Sequence, residues 1–222
     1  MNALMIIRHG QSQWNLENRF TGWTDVPLTE RGRADAQQTA EVLRDVRFDA
    51  GFTSRLQRAS ETMRIILEML GQENIPVTVD SALNERHYGD LQGLNKAETA
   101  AKYGQEKVLQ WRRGYAVRPP GGESIADTAL RVLPFLRGYI LPHVHAGKNV
   151  IVTASGNSMR PILQLFDRLD DETTATMEVG LCTPYIYWFE GEKLVKKEVR
   201  NVPGIVTKGA SQTESTVKEG RV

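Results

Sequence analysis

The chain has 222 residues, 40% hydrophobic and 25% charged, enough to bury one large core without a second domain. Its formal net charge of +1 gives no overall basic field to draw nucleic acid or an anionic membrane, so an anion site must be a local cluster of Lys and Arg. One cysteine, Cys182, excludes an internal disulfide; with no leader pattern and no apolar run near the ~20 residues that span a bilayer, a cytoplasmic chain is expected.

The first apolar run, residues 3 to 8, reads as a strand and passes directly into Arg8, His9 and Gly10. A helix follows Thr29, a suitable N-cap, and runs to about Asp45. Residues 48 to 53 read as a strand, Arg55 to Leu70 as a helix with Gly71 at C′, and 76 to 80 as a strand. Two more helical patterns cover Lys96 to Tyr103, closed by Gly104, and Gln105 to Arg113, before "GYAVRPPGGE" interrupts. Helix returns from Ser124 to Leu141, with a kink or break predicted at Pro134, which removes a donor and crowds the preceding turn.

The strand at 148 to 154 leads through "SGNS" into a helix from Met159 to Arg168, and 184 to 190 reads as a further strand. Several of the strands are apolar nearly throughout, as in a sheet covered on both faces. The alternation predicts an α/β fold, a three-layer sandwich with a mostly parallel central sheet and helices on both faces. One domain is expected over 1–203. Residues 204–222, small and polar, read as a flexible tail or as a flap that orders over a ligand.

In an open parallel sheet, ligands gather beyond the carboxyl ends of the strands. His9 follows the first strand and Ser155 to Ser158 follow "NVIVTA". If those strands are neighbours, both segments face one crevice, where the amides of Gly156, Asn157 and Ser158 open a helix able to hold an anion. Arg8, Arg58, Lys96, Arg112 and Arg113 supply cations if the fold gathers them. Any one of them alone is more often a solvated charge. His87 reads as a structural hydrogen-bonding residue, Trp111 and Trp188 as packing residues. His143 and His145 have the spacing of two metal ligands on a strand, but follow a helix with no third ligand, so a solvated loop is expected.

"RHG" alone is a weak motif, but "RHGQSQWNLENRFTGWTDVPLTERG" is specific. It resembles the histidine phosphatase superfamily and, within it, the cofactor-dependent phosphoglycerate mutases. The likeness continues through "FTSRLQRASET", "LNERHYGDLQGLNKAETAAKYG", "QWRRGYAVRPPGGES" and "GNSMRPIL". The resemblance implies that His9 is a nucleophile phosphorylated during turnover and Glu85 the general acid and base. It further implies that Arg8, Asn15, Thr21, Gly22, Arg58 and Arg86 bind phosphate and carboxylate groups, as do Tyr88, Lys96, Arg112, Arg113, Gly156 and Asn157. The implied reaction interconverts 3-phosphoglycerate and 2-phosphoglycerate, primed by 2,3-bisphosphoglycerate, with no metal, nucleic acid or membrane involved.

At "VTASGNSMR" the sequence departs from that pattern, with Ser155 where the resemblance implies a second catalytic histidine. Ser155 can donate one hydrogen bond but carries no charge. Three readings stand open: a deliberate replacement, a native variation compensated nearby, or a weakened relative used for binding. Two other functions remain beside the mutase, a phosphomonoesterase in which water accepts the phosphoryl group and a non-catalytic phosphoglycerate-binding protein. The segment between Pro120 and Glu123 is short for the family, as if an insertion were absent; a homodimer is the expected assembly.

Overall fold

β1 (Asn2–Arg8) is buried from Asn2 to Ile7. Its side chains divide between two apolar layers, as the two-residue period of a strand requires. Leu4 and Ile6 join one layer, and Ala3, Met5 and Ile7 the other. The computed structural model describes residues 1–205 and the backbone of 215–216. Most of the expected tail or flap therefore lies outside the described residues.

The remaining strands are β2 (Ala50–Thr53), β3 (Val77–Val79), β4 (Val150–Ala154), β5 (Pro184–Glu190), β6 (Lys193–Val199) and β7 (Ser215–Thr216). They form one sheet in the order β3-β2-β4-β1-β5-β6-β7. From β3 to β1 the pairing is parallel, and from β1 to β7 antiparallel. The sandwich expected from the sequence is thus present, and its parallel half is the half with crossover helices. β6 escaped the sequence reading because "KLVKKEV" is mostly charged; Leu194 alone of its side chains is fully buried.

α2 (Glu30–Glu41) and α3 (Gln57–Met69) cover the face of Met5 and Ile7. α6 (Ile125–Phe135), α7 (Leu141–His145) and α8 (Gly156–Asp167) cover the face of Leu4 and Ile6. The caps fall where the residue types put them. Thr29 accepts from the Gly32 amide at 3.1 Å, and Ser124 and Asp127 exchange side-chain and backbone bonds at 3.0 and 2.9 Å. α2 stops at Glu41 rather than near Asp45.

Two residues beyond Pro134 the helix widens into a π-type stretch, Leu136–Ile140, before α7 resumes. A proline gives its helix no amide donor, and a widened turn is one way of absorbing the loss. This corrects the reading of His143 and His145, which lie on α7 and not in a solvated loop. His143 Nδ1 stands 3.0 Å from the Tyr139 carbonyl oxygen.

α4 (Lys96–Tyr103) and α5 (Gln105–Arg113) meet at Gly104, whose φ of +90° suits glycine. They cap a satellite core of Phe20, Leu91, Val108 and Trp111, and Trp188 packs against the α2–α3 layer. Two short helices, α1 (Gln13–Leu16) and α9 (Asp171–Thr176), and two 3-10 turns, Ser81–Leu83 and Gly89–Leu91, complete the elements of the described residues. Gly10 lets the loop after β1 lie against α2: a Cβ there would stand 2.3 Å from the Gly32 carbonyl oxygen.

The register of β1 on β4 is set by side chains buried on both faces of the sheet. Arg8 pairs with Ala154, and the His9 amide donates to the Ala154 carbonyl at 3.0 Å. Ile6, fully buried beside this pair, tests how far the core supports it. Ile6→Ala should lower the unfolding free energy by about 2–5 kcal/mol, read as a fall in the urea midpoint with an unchanged slope.

Candidate active site

The parallel register carries β1 and β4 to the same level, so His9 and Ser155 are the first residues past two adjacent strand ends. His9 is 2% exposed. Its Nδ1 lies 2.7 Å from the Gly10 carbonyl oxygen, an acceptor with no proton to offer, so Nδ1 carries the ring proton and Nε2 keeps its lone pair. Nε2 accepts from Arg58 Nε at 3.3 Å. Burial, then the charges of Arg58 and Arg8, hold the imidazole pKa well below its ordinary value. A buried neutral imidazole with one free nitrogen is a nucleophile that needs no base to deprotonate it.

The arginines around it are tied by main-chain carbonyls. Arg58 Nη1 and Nη2 donate to Thr24 and Gly22 oxygens at 3.0 and 2.8 Å, which also shapes the Thr21–Gly22 turn. Burial lowers the Arg58 pKa to about 10, still charged at neutral pH. Arg8 Nη1 donates to the Val179 oxygen at 2.8 Å. Arg86, fully buried, donates from Nη2 to Tyr88 Oη and to the Arg112 oxygen, both at 3.1 Å. Arg8 Nε, Arg86 Nε, Arg86 Nη1 and Ser155 Oγ are buried without a hydrogen-bond partner. Desolvated donors of this kind are costly unless something accepts from them.

Glu85 sits at the start of α8. One carboxylate oxygen accepts the Arg86 amide at 2.8 Å and the Asn157 amide at 3.0 Å. The helix N-terminus that the sequence offered to a ligand anion therefore holds, in part, a carboxylate of this chain. Ser155 caps the same helix; its amide donates to Ser158 Oγ at 3.2 Å and its carbonyl accepts from that hydroxyl at 2.9 Å. Tyr88 receives bonds from Arg86 and from Asn157 Nδ2, at 3.1 and 3.2 Å. Burial works to raise its pKa, but the Arg86 charge and these bonds outweigh it and the phenol is lowered.

These groups surround a cavity of about 120 Å³. Arg8, Asn15, Thr21, Gly22, Glu85 and Tyr88 line it, with Lys96, Arg112, Arg113, Gly156 and Asn157. His9, Arg58, Arg86 and Ser155 stand behind or between them, joined by hydrogen bonds or by chain adjacency. Eleven of the fifteen candidates named from the sequence line the cavity, and His9, Arg58, Arg86 and Ser155 do not. Burial lowers the Lys96 pKa, its neighbouring cations adding to the effect.

Three lining residues escaped the sequence reading: Arg19, Arg160 and Glu178. Arg160 lies one helical turn past Asn157 and donates to its Oδ1 at 3.1 Å. That spacing, an arginine three residues beyond a candidate ligand on a helix, was the signal available. Glu178 pairs with Arg113 at 2.8 Å, a contact between distant segments that no local pattern announces. The wall holds six cations and two carboxylates, a concentration of positive charge that favours a small polyanion.

Comparison with known proteins agrees. Residues 4–202 match the family model of the histidine phosphatase superfamily, branch 1. The chain is 57% identical over 187 residues to 2,3-bisphosphoglycerate-dependent phosphoglycerate mutase 2 of Gloeobacter violaceus, covering 84% of this chain and 85% of that one. It is 47% identical over 197 residues to the 2,3-bisphosphoglycerate-dependent phosphoglycerate mutase of Methylocella silvestris, covering 88% and 96%. Among solved structures it resembles Bacillus stearothermophilus YhfR, with TM-score 0.78 and 27% identity over 93% and 98% of the two chains. A mycobacterial glucosyl-3-phosphoglycerate phosphatase is similar with TM-score 0.72 and 29% identity over 83% and 89%.

The buried neutral His9 has a consequence for pH. Its folded pKa lies below the unfolded value of about 6.5, so between the two the unfolded chain binds the extra proton. Stability is full above the unfolded pKa and is lost as pH falls below it. His9→Asn should flatten that part of the stability curve between about pH 6.5 and 5, measured by urea unfolding at a series of pH values; an unchanged slope would show that His9 is not held neutral.

Proposed function

We propose that this chain, which belongs to the histidine phosphatase superfamily, is a phosphoglycerate mutase that interconverts 3-phosphoglycerate and 2-phosphoglycerate through a phosphohistidine at His9. The observation that carries the reading is the neutral His9 with Nε2 unprotonated, beside a cavity walled by six cations and Glu85. The likeness to named mutases supports the choice of substrate. 2,3-Bisphosphoglycerate, when bound, supplies the phosphoryl group that charges His9. The buried, unpartnered nitrogens of Arg8 and Arg86 and the Ser155 hydroxyl fit such a polyanion, since each is a donor awaiting an acceptor oxygen.

The chemistry follows from the groups present. His9 Nε2 attacks phosphorus in line with the departing oxygen, forming an N–P bond as the O–P bond breaks. Splitting one transfer between oxygens into two steps through nitrogen lowers each barrier. Arg8 and Arg58, fixed by carbonyls before any ligand arrives, stabilise the charge on the transferred group without reorganising. Glu85 gives a proton to the leaving oxygen and takes one from the hydroxyl that later attacks phosphohistidine. Lys96, Arg112 and Arg113, on the α4–α5 hairpin, hold the rest of the substrate and let the doubly phosphorylated species turn over without leaving.

Ser155 supplies a hydroxyl donor where an imidazolium would add charge. Loss of one preorganised electrostatic donor costs about 10²–10³ in turnover. A second reading, phosphomonoesterase activity, is favoured by the similarity to a solved phosphatase; it differs in that water discharges His9.

The test is mutase turnover of the chain and of Ser155→His, with 3-phosphoglycerate and priming 2,3-bisphosphoglycerate, while released inorganic phosphate is followed in the same samples. Ser155→His should be faster by about 10²-fold, with isomerised product exceeding free phosphate. Predominant phosphate release would favour the phosphatase. His9→Ala should abolish transfer in both backgrounds, and Glu85→Gln should lower kcat far more than it raises KM.

A further inference from the structure

The Glu85 carboxylate is carried on residues 84 to 88, which belong to no strand or α-helix, and such segments open locally unless something ties them. What ties this one is the "GGE" that precedes α6, together with Arg131 within that helix, neither of which lines the cavity. Arg131 Nη1 donates to the Ala82 and Asn84 carbonyl oxygens at 2.8 and 2.9 Å, and Nη2 to the Glu85 oxygen at 3.0 Å. The same guanidinium is forked on Glu123, with Nε at 3.1 Å from Oε1 and Nη2 at 2.8 Å from Oε2.

Glu123 in turn accepts the His87 amide at 2.9 Å, and its own amide donates to the His87 oxygen at 2.8 Å. Gly122 makes this approach feasible, because a Cβ there would lie 2.6 Å from the His87 carbonyl oxygen. Trp23 adds a bond from Nε1 to the Glu85 oxygen at 2.6 Å, and its ring lies 5.6 Å from the Arg131 guanidinium. The backbone is thus held at the peptide before Glu85, at Glu85 and two residues beyond. The carboxylate has little freedom left except its own rotamer, and the Arg86 and Asn157 amides select that.

We propose that Arg131 and Glu123 are positioning residues, a guanidinium–carboxylate pair that aims Glu85 for proton transfer without touching substrate. The proposal rests on Glu85 being the proton carrier of the mutase reaction. Arginine suits the task because its planar fork reaches carbonyls and a carboxylate at once, which a lysine ammonium cannot match. The pair is only partly exposed, 20% and 24% for the two side chains, so solvent competes weakly for it.

The experiment compares Arg131→Met, Arg131→Lys, Glu123→Gln and the Glu123→Gln/Arg131→Met double variant with the parent, each also built on Ser155→His so that a slow parent hides nothing. Mutase kcat, KM for 3-phosphoglycerate and calorimetric affinity for inorganic phosphate are read on each, with thermal unfolding alongside. A displacement near 1 Å at the reacting group can cost about 10²-fold. Arg131→Met should therefore lower kcat by about 10- to 100-fold, leaving KM and phosphate affinity within about twofold. Arg131→Lys should recover part of the loss, and the double variant should be no worse than Arg131→Met, as for groups acting as one unit.

Unchanged kcat in the Arg131 and Glu123 variants overturns the proposal. So does parallel loss of kcat and phosphate affinity, which would make the pair a staple for the whole cavity. If Arg131→Met does not fold, Arg131→Lys and Glu123→Gln carry the same comparison. Glu85→Gln is run beside them: full turnover there sinks the proton-carrier reading and the positioning role with it. Impairment there without impairment at Arg131 sinks the positioning role alone.

Discussion

The parallel pairing of β1 with β4 is the constraint on which the rest of the site depends. Its register places Arg8 opposite Ala154, and the next residue on each strand leaves the sheet into the same space. One hydrogen bond, from the His9 amide to the Ala154 oxygen, carries the ladder across the boundary. From that point α8 begins, and its first amides meet Glu85. A register shift of one residue would turn His9 to the opposite face and separate its imidazole from the helix terminus. Burial on both faces of β1 opposes such a slip, because Leu4 and Ile6 would exchange layers with Met5 and Ile7.

Crowding so many cations into one cavity is unfavourable by itself, and the fold offsets it with backbone dipoles beside the carboxylates of Glu85 and Glu178. Arg58, Arg8 and Arg86 are each anchored through a carbonyl oxygen, and so is Arg160, whose Nη2 donates to the Met177 oxygen at 2.8 Å. A carbonyl orients a guanidinium without neutralising it. The field therefore survives at the cavity, and the remaining donors are aimed before a ligand arrives. The same field adds to burial, the larger cause, in lowering the His9 pKa. A chain of net charge +1 can hold such a site because many of its acidic residues lie away from it, as Asp45 does, paired with Arg200 at 2.6 Å.

Local signals were legible where local physics decides the outcome. The cap at Thr29, the helix start near Ser124, Gly71 beyond α3, the two helices meeting at Gly104 and the buried strands could all be read from residue types. β6 could not, because its alternation is masked by charge and its partner is set by β5. The extension of that helix beyond Leu141 to His145 was also missed, because the widened turn that carries the chain on past Pro134 is a property of packing. Glu178 was overlooked for a related reason, since its partner Arg113 lies on another segment.

The sequence by itself determined the three-layer α/β arrangement and several helix starts, and the extended likeness of its motifs named candidate residues for one site. It also exposed the substitution at Ser155. Those features follow from periodicity, capping and residue type, which act over a few neighbouring residues. Only the tertiary structure decided that Nδ1 of His9 is the protonated nitrogen, that Glu85 occupies the helix terminus, and that the loop carrying it is tied from behind by Arg131. Such outcomes depend on donors and acceptors brought within about 3 Å from distant parts of the chain, and on burial that changes what charge costs.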